Sequence, residues 1–151
     1  HSEIHSENPI YQVMCMVGED IVDYLVTLRE RLDYLKTHSQ YWTIEAEDEP
    51  IQALFLEKSD VISDNPSFGI YAFIAGEKKE KEIQALVYPD RRGEGYGLTR
   101  YNDSPRLNFS RIESLDEVRF AHKRGFVAKV STTEPARLKE LLEMAIVPAK
   151  N

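Results

Sequence analysis

The chain has 151 residues, a length that fits one domain, or one small domain with an appendage. Hydrophobic residues make up 42% and charged residues 30%, which is enough apolar material for a core under a solvated surface. The net charge of −7 argues against a broad nucleic-acid surface, although a local basic patch could still hold a phosphate.

No apolar run reaches the roughly 20 residues that a membrane-spanning helix needs, so no membrane partner is expected. The single cysteine, Cys15, excludes an intrachain disulfide and suits a reducing, cytoplasmic location. Four histidines and one cysteine show no zinc-type spacing, so no cofactor is expected in this chain. Residues 1–7 are polar and lack a signal-peptide pattern. We interpret them as a disordered leader or tag remnant, unless the chain begins within a longer protein.

A long connector helix is predicted over residues 8–40, with Asn8 as N-cap and Pro9 as the first helical residue. Its apolar residues recur at spacings of three and four, which places them on one helical face. They are Met14, Val17, Ile21, Leu25, Leu28, Leu32 and Leu35. Such a stripe must be buried against its own domain, a missing neighbouring domain or a second subunit, and its period alone does not decide among these.

The segment from His38 to Pro50 ends the helix and carries Glu45, Glu47, Asp48 and Glu49. Paired carboxylates can serve as general acid and base. No histidine or nucleophile stands beside this run, so we interpret it as a solvated turn.

From Ile51 onward the apolar period changes to two, which is typical of strands. The predicted strands are Ala53–Leu56, Gly69–Ala75, Ile83–Tyr88, Tyr96–Tyr101 and one around Gly125–Val130. Turn signals separate them at Asp64–Ser67, Gly76–Lys81, Arg91–Gly95 and Asn102–Pro105.

A last helix is predicted near Pro135, with Thr133 as its N-cap. Its apolar face consists of Leu138, Leu141, Leu142 and Ala145. The order of elements predicts an α+β fold, in which a long N-terminal helix precedes a mixed or antiparallel sheet with helices packed on one face. Residues 50–148 would form the domain that contains this sheet.

The most informative stretch is His122-Lys123-Arg124, which stands just before Gly125 and an apolar strand. Such a turn can aim a histidine, two cations and backbone N–H groups at a phosphate. Gly125 would let the backbone approach that phosphate closely. The alternative is a basic turn that only caps a strand, with His122 merely hydrogen-bonded.

Two further arginines could converge with this turn. Arg100 lies in Gly97-Leu98-Thr99-Arg100, and Arg111 lies in Asn108-Phe109-Ser110-Arg111-Ile112. Alternatively, Arg100 faces solvent from its strand and Arg111 stands at a helix start.

Together with His122 before Gly125 and the helix from Pro135, these motifs make the segment from about Leu86 to Ala145 resemble the DHH-associated C-terminal domain of the DHH phosphoesterase superfamily. That superfamily includes RecJ-like exonucleases and oligoribonucleases. The common family turn has three glycines before its histidine, and Arg119, Phe120 and Ala121 stand there in this chain. The departure points to a divergent branch and leaves the substrate open.

The resemblance implies that the turn histidine and the arginine grip a phosphate or terminal nucleotide. It also implies a catalytic domain that binds Mn²⁺ or Mg²⁺ through an Asp-His-His motif, which this chain lacks. We therefore expect substrate binding by Arg100, Arg111, His122, Lys123, Arg124 and Gly125, and no metal-dependent hydrolysis by this chain alone. The alternative is a non-enzymatic interaction module that dimerises through its N-terminal helix.

Overall fold

The computed structural model describes residues 9–58, 68–90 and 94–148, with side chains from residue 18 onward in the first helix. The helices are α1 (Pro9–His38), α2 (Ile70–Gly76) and α3 (Pro135–Ala145), with a short 3₁₀ helix at Phe109–Ile112. The strands are β1 (Ser39–Ile44), β2 (Ile51–Leu56), β3 (Ile83–Pro89), β4 (Tyr96–Arg100), β5 (Val118–Ala121) and β6 (Val127–Val130).

The six strands form one sheet in the order β1-β2-β3-β4-β6-β5. β2 and β3 are parallel, and every other neighbouring pair is antiparallel. The predicted fold class is confirmed: an N-terminal helix precedes a mixed sheet in an α+β chain. No helix in the described residues is long and apolar enough to cross a membrane.

Helix α1 begins at Pro9 as predicted, while the Asn8 cap lies outside the described residues. Its predicted apolar stripe is buried only toward its C-terminal end. Leu35 is fully buried, whereas Ile21 and Leu25 are 53% and 54% exposed. The side chains of Met14 and Val17 lie outside the described set. Within this chain only the C-terminal part of the stripe, from Leu28 to Leu35, is covered. That another domain or a second subunit covers Ile21 and Leu25 stays a prediction.

The prediction of a strand at Gly69–Ala75 was wrong, because this segment forms α2. Its aromatic and branched residues favour a strand by composition. However, Ile70, Phe73 and Ile74 are the buried ones, which is helical spacing. Parallel strands also need a crossover connection, and α2 lies in the crossover between β2 and β3. The predicted turn at Asp64–Ser67 lies outside the described residues.

Two strands were not predicted. β1 follows α1 directly and buries only Trp42 and Ile44. Two apolar residues are too short an alternating pattern to be distinguished from the end of the helix. For β5, only one strand around Gly125–Val130 was predicted in this region, whereas Val118–Ala121 forms a second strand that pairs with β6 as a hairpin. The acidic segment after β1 is a loop, in which Glu45, Glu47, Asp48 and Glu49 are exposed as predicted.

The sheet separates two hydrophobic clusters. The larger one packs the 3₁₀ helix and α3 on one face, and the predicted face of α3 is buried there throughout. Pro135 begins α3, but Glu134 rather than Thr133 holds the N-cap position. The smaller cluster packs the end of α1 and α2 on the opposite face. Helices therefore cover both faces of the sheet, with α1 and α2 opposite the 3₁₀ helix and α3.

Candidate phosphate-binding site

The β5–β6 hairpin holds the basic turn in a defined shape. The N–H of His122 donates to the carbonyl of Val127 at 2.9 Å, and the N–H of Gly125 donates to the carbonyl of His122 at 2.8 Å. Gly125 has a φ of 78°, in the left-handed region that favours glycine. The turn between the two strands is therefore closed by backbone bonds.

The outer side of this hairpin forms an open concavity of about 650 Å³. Its lining residues are Glu113, Val118, Arg119, Phe120, Ala121, His122, Lys123 and Arg124. Three predicted site residues thus share one surface: His122, Lys123 and Arg124.

The positive charge of this concavity is only partly compensated. Arg119 approaches Asp90 at 3.6 Å and Glu94 at 3.5 Å. Lys123 and Arg124 are exposed, and neither has an ion pair or a hydrogen-bonded side chain among the described residues. Glu113 is the one acidic residue in the lining. The concavity is therefore locally positive on a chain whose net charge is −7.

The His122 ring is oriented by two contacts. Its Nδ1 lies 3.0 Å from the backbone N–H of Arg124, which donates to it. Its ring stacks on Phe126 with a centroid distance of 4.8 Å. Because Nδ1 accepts a hydrogen bond, a neutral ring carries its proton on Nε2. Nε2–H is thus the group available to donate to a ligand.

Arg100 does not line the concavity, yet it contacts the same aromatic ring as His122. Its guanidinium lies 4.5 Å from the centroid of Phe126, donates to the Leu107 carbonyl at 3.2 Å and pairs with Asp103. Its side chain is only 12% exposed. These contacts fasten the β4–3₁₀ connection to the hairpin, so the arginine supports the ring on which His122 stacks.

Arg111 is directed elsewhere. Its Nε donates to the carbonyl of Met144 at 3.3 Å, which joins the 3₁₀ helix to α3. It is absent from the concavity lining. The predicted convergence of Arg111 with the turn is thus not seen in this structure, because its local partner is a helix end.

Gly125 is required by packing against Asn108. A Cβ at position 125 would overlap Asn108 Oδ1 and stand 2.7 Å from its Cγ. Asn108 caps the 3₁₀ helix by accepting from Ser110 N at 3.0 Å, and Phe109 N donates to the Gly125 carbonyl at 3.2 Å. The glycine that sequence reasoning assigned to ligand approach therefore fits the hairpin to the 3₁₀ helix.

Sequence reasoning missed two aromatic residues of this region. Phe120 is 51% exposed and lines the concavity, and Phe126 is 38% exposed beside it. The sequence offers one indication of them. Side chains alternate between the two faces of a strand, so a large apolar residue at an outward position of a short strand is partly exposed. They give the basic surface two aromatic faces.

Beside the concavity, an ion pair ties α3 to the loop before β5. Arg137 donates from Nε to Glu117 Oε2 at 3.0 Å. These hydrogen bonds lower the pKa of Glu117 below its usual value, and they outweigh the effect of desolvation. The pair stabilises the start of the hairpin.

Among the residues that the structure describes, no group of three or more His, Cys, Asp or Glu side chains could hold a metal ion. No family model, no curated protein and no solved structure matches the sequence or the fold.

Proposed function

We propose that the β5–β6 hairpin binds the phosphate of a nucleotide or short oligonucleotide. In this proposal the chain is the C-terminal substrate-binding portion of a DHH-type phosphohydrolase. The observation that carries it is that His122, Lys123 and Arg124 line one concavity. Among the described residues, Lys123 and Arg124 have no anionic partner there. The resemblance of Leu86–Ala145 to the DHH-associated domain supplies the enzyme class.

The binding chemistry follows from the three side chains. Lys123 offers a compact positive charge, and Arg124 offers a planar fork that can hold two phosphate oxygens. His122 can donate from Nε2, since its Nδ1 is engaged by Arg124 N. Arg100 acts through Phe126 as a positioning residue. Mn²⁺ or Mg²⁺ and the attacking water would belong to a catalytic domain outside this chain.

A second candidate is a non-enzymatic interaction module that uses α1. The exposed apolar side chains of its middle, among them Ile21 and Leu25, favour this alternative. The same surface could dock a catalytic domain or a second subunit in the first proposal. We also propose a cytoplasmic location, on the ground of the single cysteine.

The test is calorimetric binding of a mononucleotide and of a short oligonucleotide at two salt concentrations. We expect Arg124→Ala and His122→Ala each to weaken binding by roughly tenfold to a hundredfold, which corresponds to ~1.5–3 kcal/mol for a charge-assisted contact. Lys81→Ala is the matched control, because Lys81 is an exposed cation in the loop before β3. Binding should also weaken as salt rises.

Because a catalytic domain outside this chain would, in this proposal, add its own contacts to the ligand, the same variants are then made in the longer protein. Unchanged binding and turnover there would show that the basic turn only caps a strand. An Asp-His-His motif upstream in the parent reading frame would support the enzyme class. Manganese-dependent cleavage of an oligonucleotide by this chain, abolished by an acidic-residue substitution, would contradict the assignment of the metal site to another domain.

A further inference from the structure

The two edges of the sheet differ in how they are protected. β5 has four residues, carries Arg119 and shifts register against β6 between Val118 and Phe120. Short length, charge and irregularity are the means by which proteins prevent edge strands from pairing. β1 has six residues, Ser39–Ile44, with neither charge nor proline, and its register with β2 is unbroken. Within the described residues, β1 is therefore the edge that is open to pairing.

The free backbone groups of β1 follow from its register. The N–H of Glu57 donates to the carbonyl of His38 at 3.1 Å, one step before the β1–β2 ladder. In an antiparallel pair, hydrogen-bonded positions alternate along each strand. Consequently Ser39, Tyr41 and Thr43 direct their N–H and C=O groups away from β2. These groups form a short, regular template for another strand.

We propose that β1 pairs antiparallel with β1 of a second copy of this chain, about a twofold axis at Tyr41. Tyr41 then lies opposite its own equivalent, and Ser39 lies opposite Thr43 of the other copy. All three outward-directed residues exchange backbone hydrogen bonds in this register, and the two sheets become one. The interface is separate from the basic concavity, which lies at the opposite edge of the sheet.

Charge complementarity favours a second copy over an unrelated peptide. The register brings the loop after β1, with Glu45, Glu47 and Glu49, toward the end of α1 of the other copy. That last helical turn carries Lys36 and His38, and no acidic residue stands in β1 itself. Because of the twofold axis, the acidic loop of each copy lies near the last turn of α1 of the other, so the attraction occurs twice. An unrelated peptide would need matching charges of its own. Long-range repulsion between two chains of net charge −7 opposes the contact and is weakened by salt.

The symmetry also has a consequence for α1. A twofold axis perpendicular to the sheet keeps each face on its own side, so both α1 helices lie on the same face of the joined sheet. The exposed Ile21 and Leu25 of the two copies are thereby on one side of the dimer. The β1 pairing does not require Ile21 or Leu25. Substitutions in β1 and in α1 therefore test the strand contact and the helix contact separately.

The first experiment is sedimentation equilibrium of the full chain over a range of concentrations, at about 0.05 M and 0.5 M salt. We expect a reversible dimer with twice the 17.4 kDa chain mass at both salt concentrations, because salt weakens both the local attraction and the net repulsion. Tyr41→Lys places two like charges opposite each other and should raise the dimer Kd by about tenfold or more. Phe120→Lys, the same kind of change on β5, should leave Kd within about twofold. Circular dichroism checks that both variants fold.

The decisive experiment mixes Tyr41→Lys with Tyr41→Glu. Each variant alone should dimerise more weakly than the wild type, while the mixture should form a heterodimer, because opposite charges now face each other at the axis. A full chain that stays monomeric overturns the proposal. So does a mixture that fails to associate, or a dimer that is lost in Leu25→Asp and retained in both Tyr41 variants.

Discussion

The two faces of the sheet reach their packing by different means. On the α3 face, Phe109 and Leu138 are completely buried in a large hydrophobic cluster without charged side chains. On the α1 face the cluster is smaller, and the buried side chains beside it include a charged one, Arg31, with no exposed surface. There the apolar stripe continues past the cluster to the exposed Ile21. The α3 face is thus a closed core, whereas the α1 face combines a core with a buried charge and an uncovered extension.

The largest effect is expected on the α3 face. Phe109→Ala removes a fully buried ring between the sheet and α3, and should lower the free energy of unfolding by about 3–5 kcal/mol. Chemical denaturation measures it. Ile74→Ala, a fully buried residue of the α1 face, is the matched comparison and should cost about 2–5 kcal/mol. A loss for Ile74 that clearly exceeds both the loss for Phe109 and about 5 kcal/mol would contradict the ranking of the two faces.

How far this architecture could be predicted depends on the length of each local pattern. α1 and α3 have apolar periods over several turns, so the existence of both helices was predictable, and for α3 the buried residues were predictable as well. α2 was not, because its composition favours a strand and only the parallel crossover requires a helix. The basic turn at residues 122–124 was found because it is contiguous. The role of Arg100 was not, because its contacts with Leu107 and Phe126 depend on tertiary packing.

The buried charge of the α1 face gives the second prediction. Arg31 donates from Nε to the carbonyl of Phe68 at 2.8 Å and contributes its stem to the interior. Arg31→Ala removes both, and we expect a loss of about 2–4 kcal/mol. Arg31→Met restores the volume without the donor. If Met restores wild-type stability, the arginine acts through packing alone, and the two faces are more alike than we infer.

The third prediction concerns the fit between hairpin and 3₁₀ helix on the α3 face. Gly125→Ala should destabilise the fold by roughly 1–3 kcal/mol, because position 125 needs a positive φ and its Cβ meets Asn108. Asn108→Gly removes the obstructing side chain but leaves the φ requirement. In a double-mutant cycle the two changes should therefore be less harmful together than their sum. Strict additivity would show that the steric contact with Asn108 is unimportant.

A smaller, pH-dependent effect is expected where α3 joins the hairpin. Arg137 holds the pKa of Glu117 below its usual value of 4.5, so the ionised carboxylate stabilises the folded state. This contribution is complete above about pH 4.5 and is lost as the pH falls through the lower folded-state pKa. Glu117→Gln should therefore be less stable than the wild type at pH 7 and approach it at pH 3. A difference in unfolding free energy that stays constant over this range would contradict the assignment.

The smallest effect is expected on the exposed part of α1, where it tests whether the apolar stripe of the α1 face is uncovered in solution. Leu25 is 54% exposed, so Leu25→Ala removes little buried area and creates no cavity. In a dilute sample we expect the unfolding free energy to change by less than about 0.5 kcal/mol, since alanine also favours the helix. Arg29→Ala, which replaces an exposed polar residue of α1, controls for the change in helix propensity. If the loss instead exceeds about 1 kcal/mol and grows with protein concentration, a second copy covers this side chain in solution. The apolar surface of the α1 face would then be buried in part by a second copy. The α3 face, in contrast, is buried entirely by residues of its own chain.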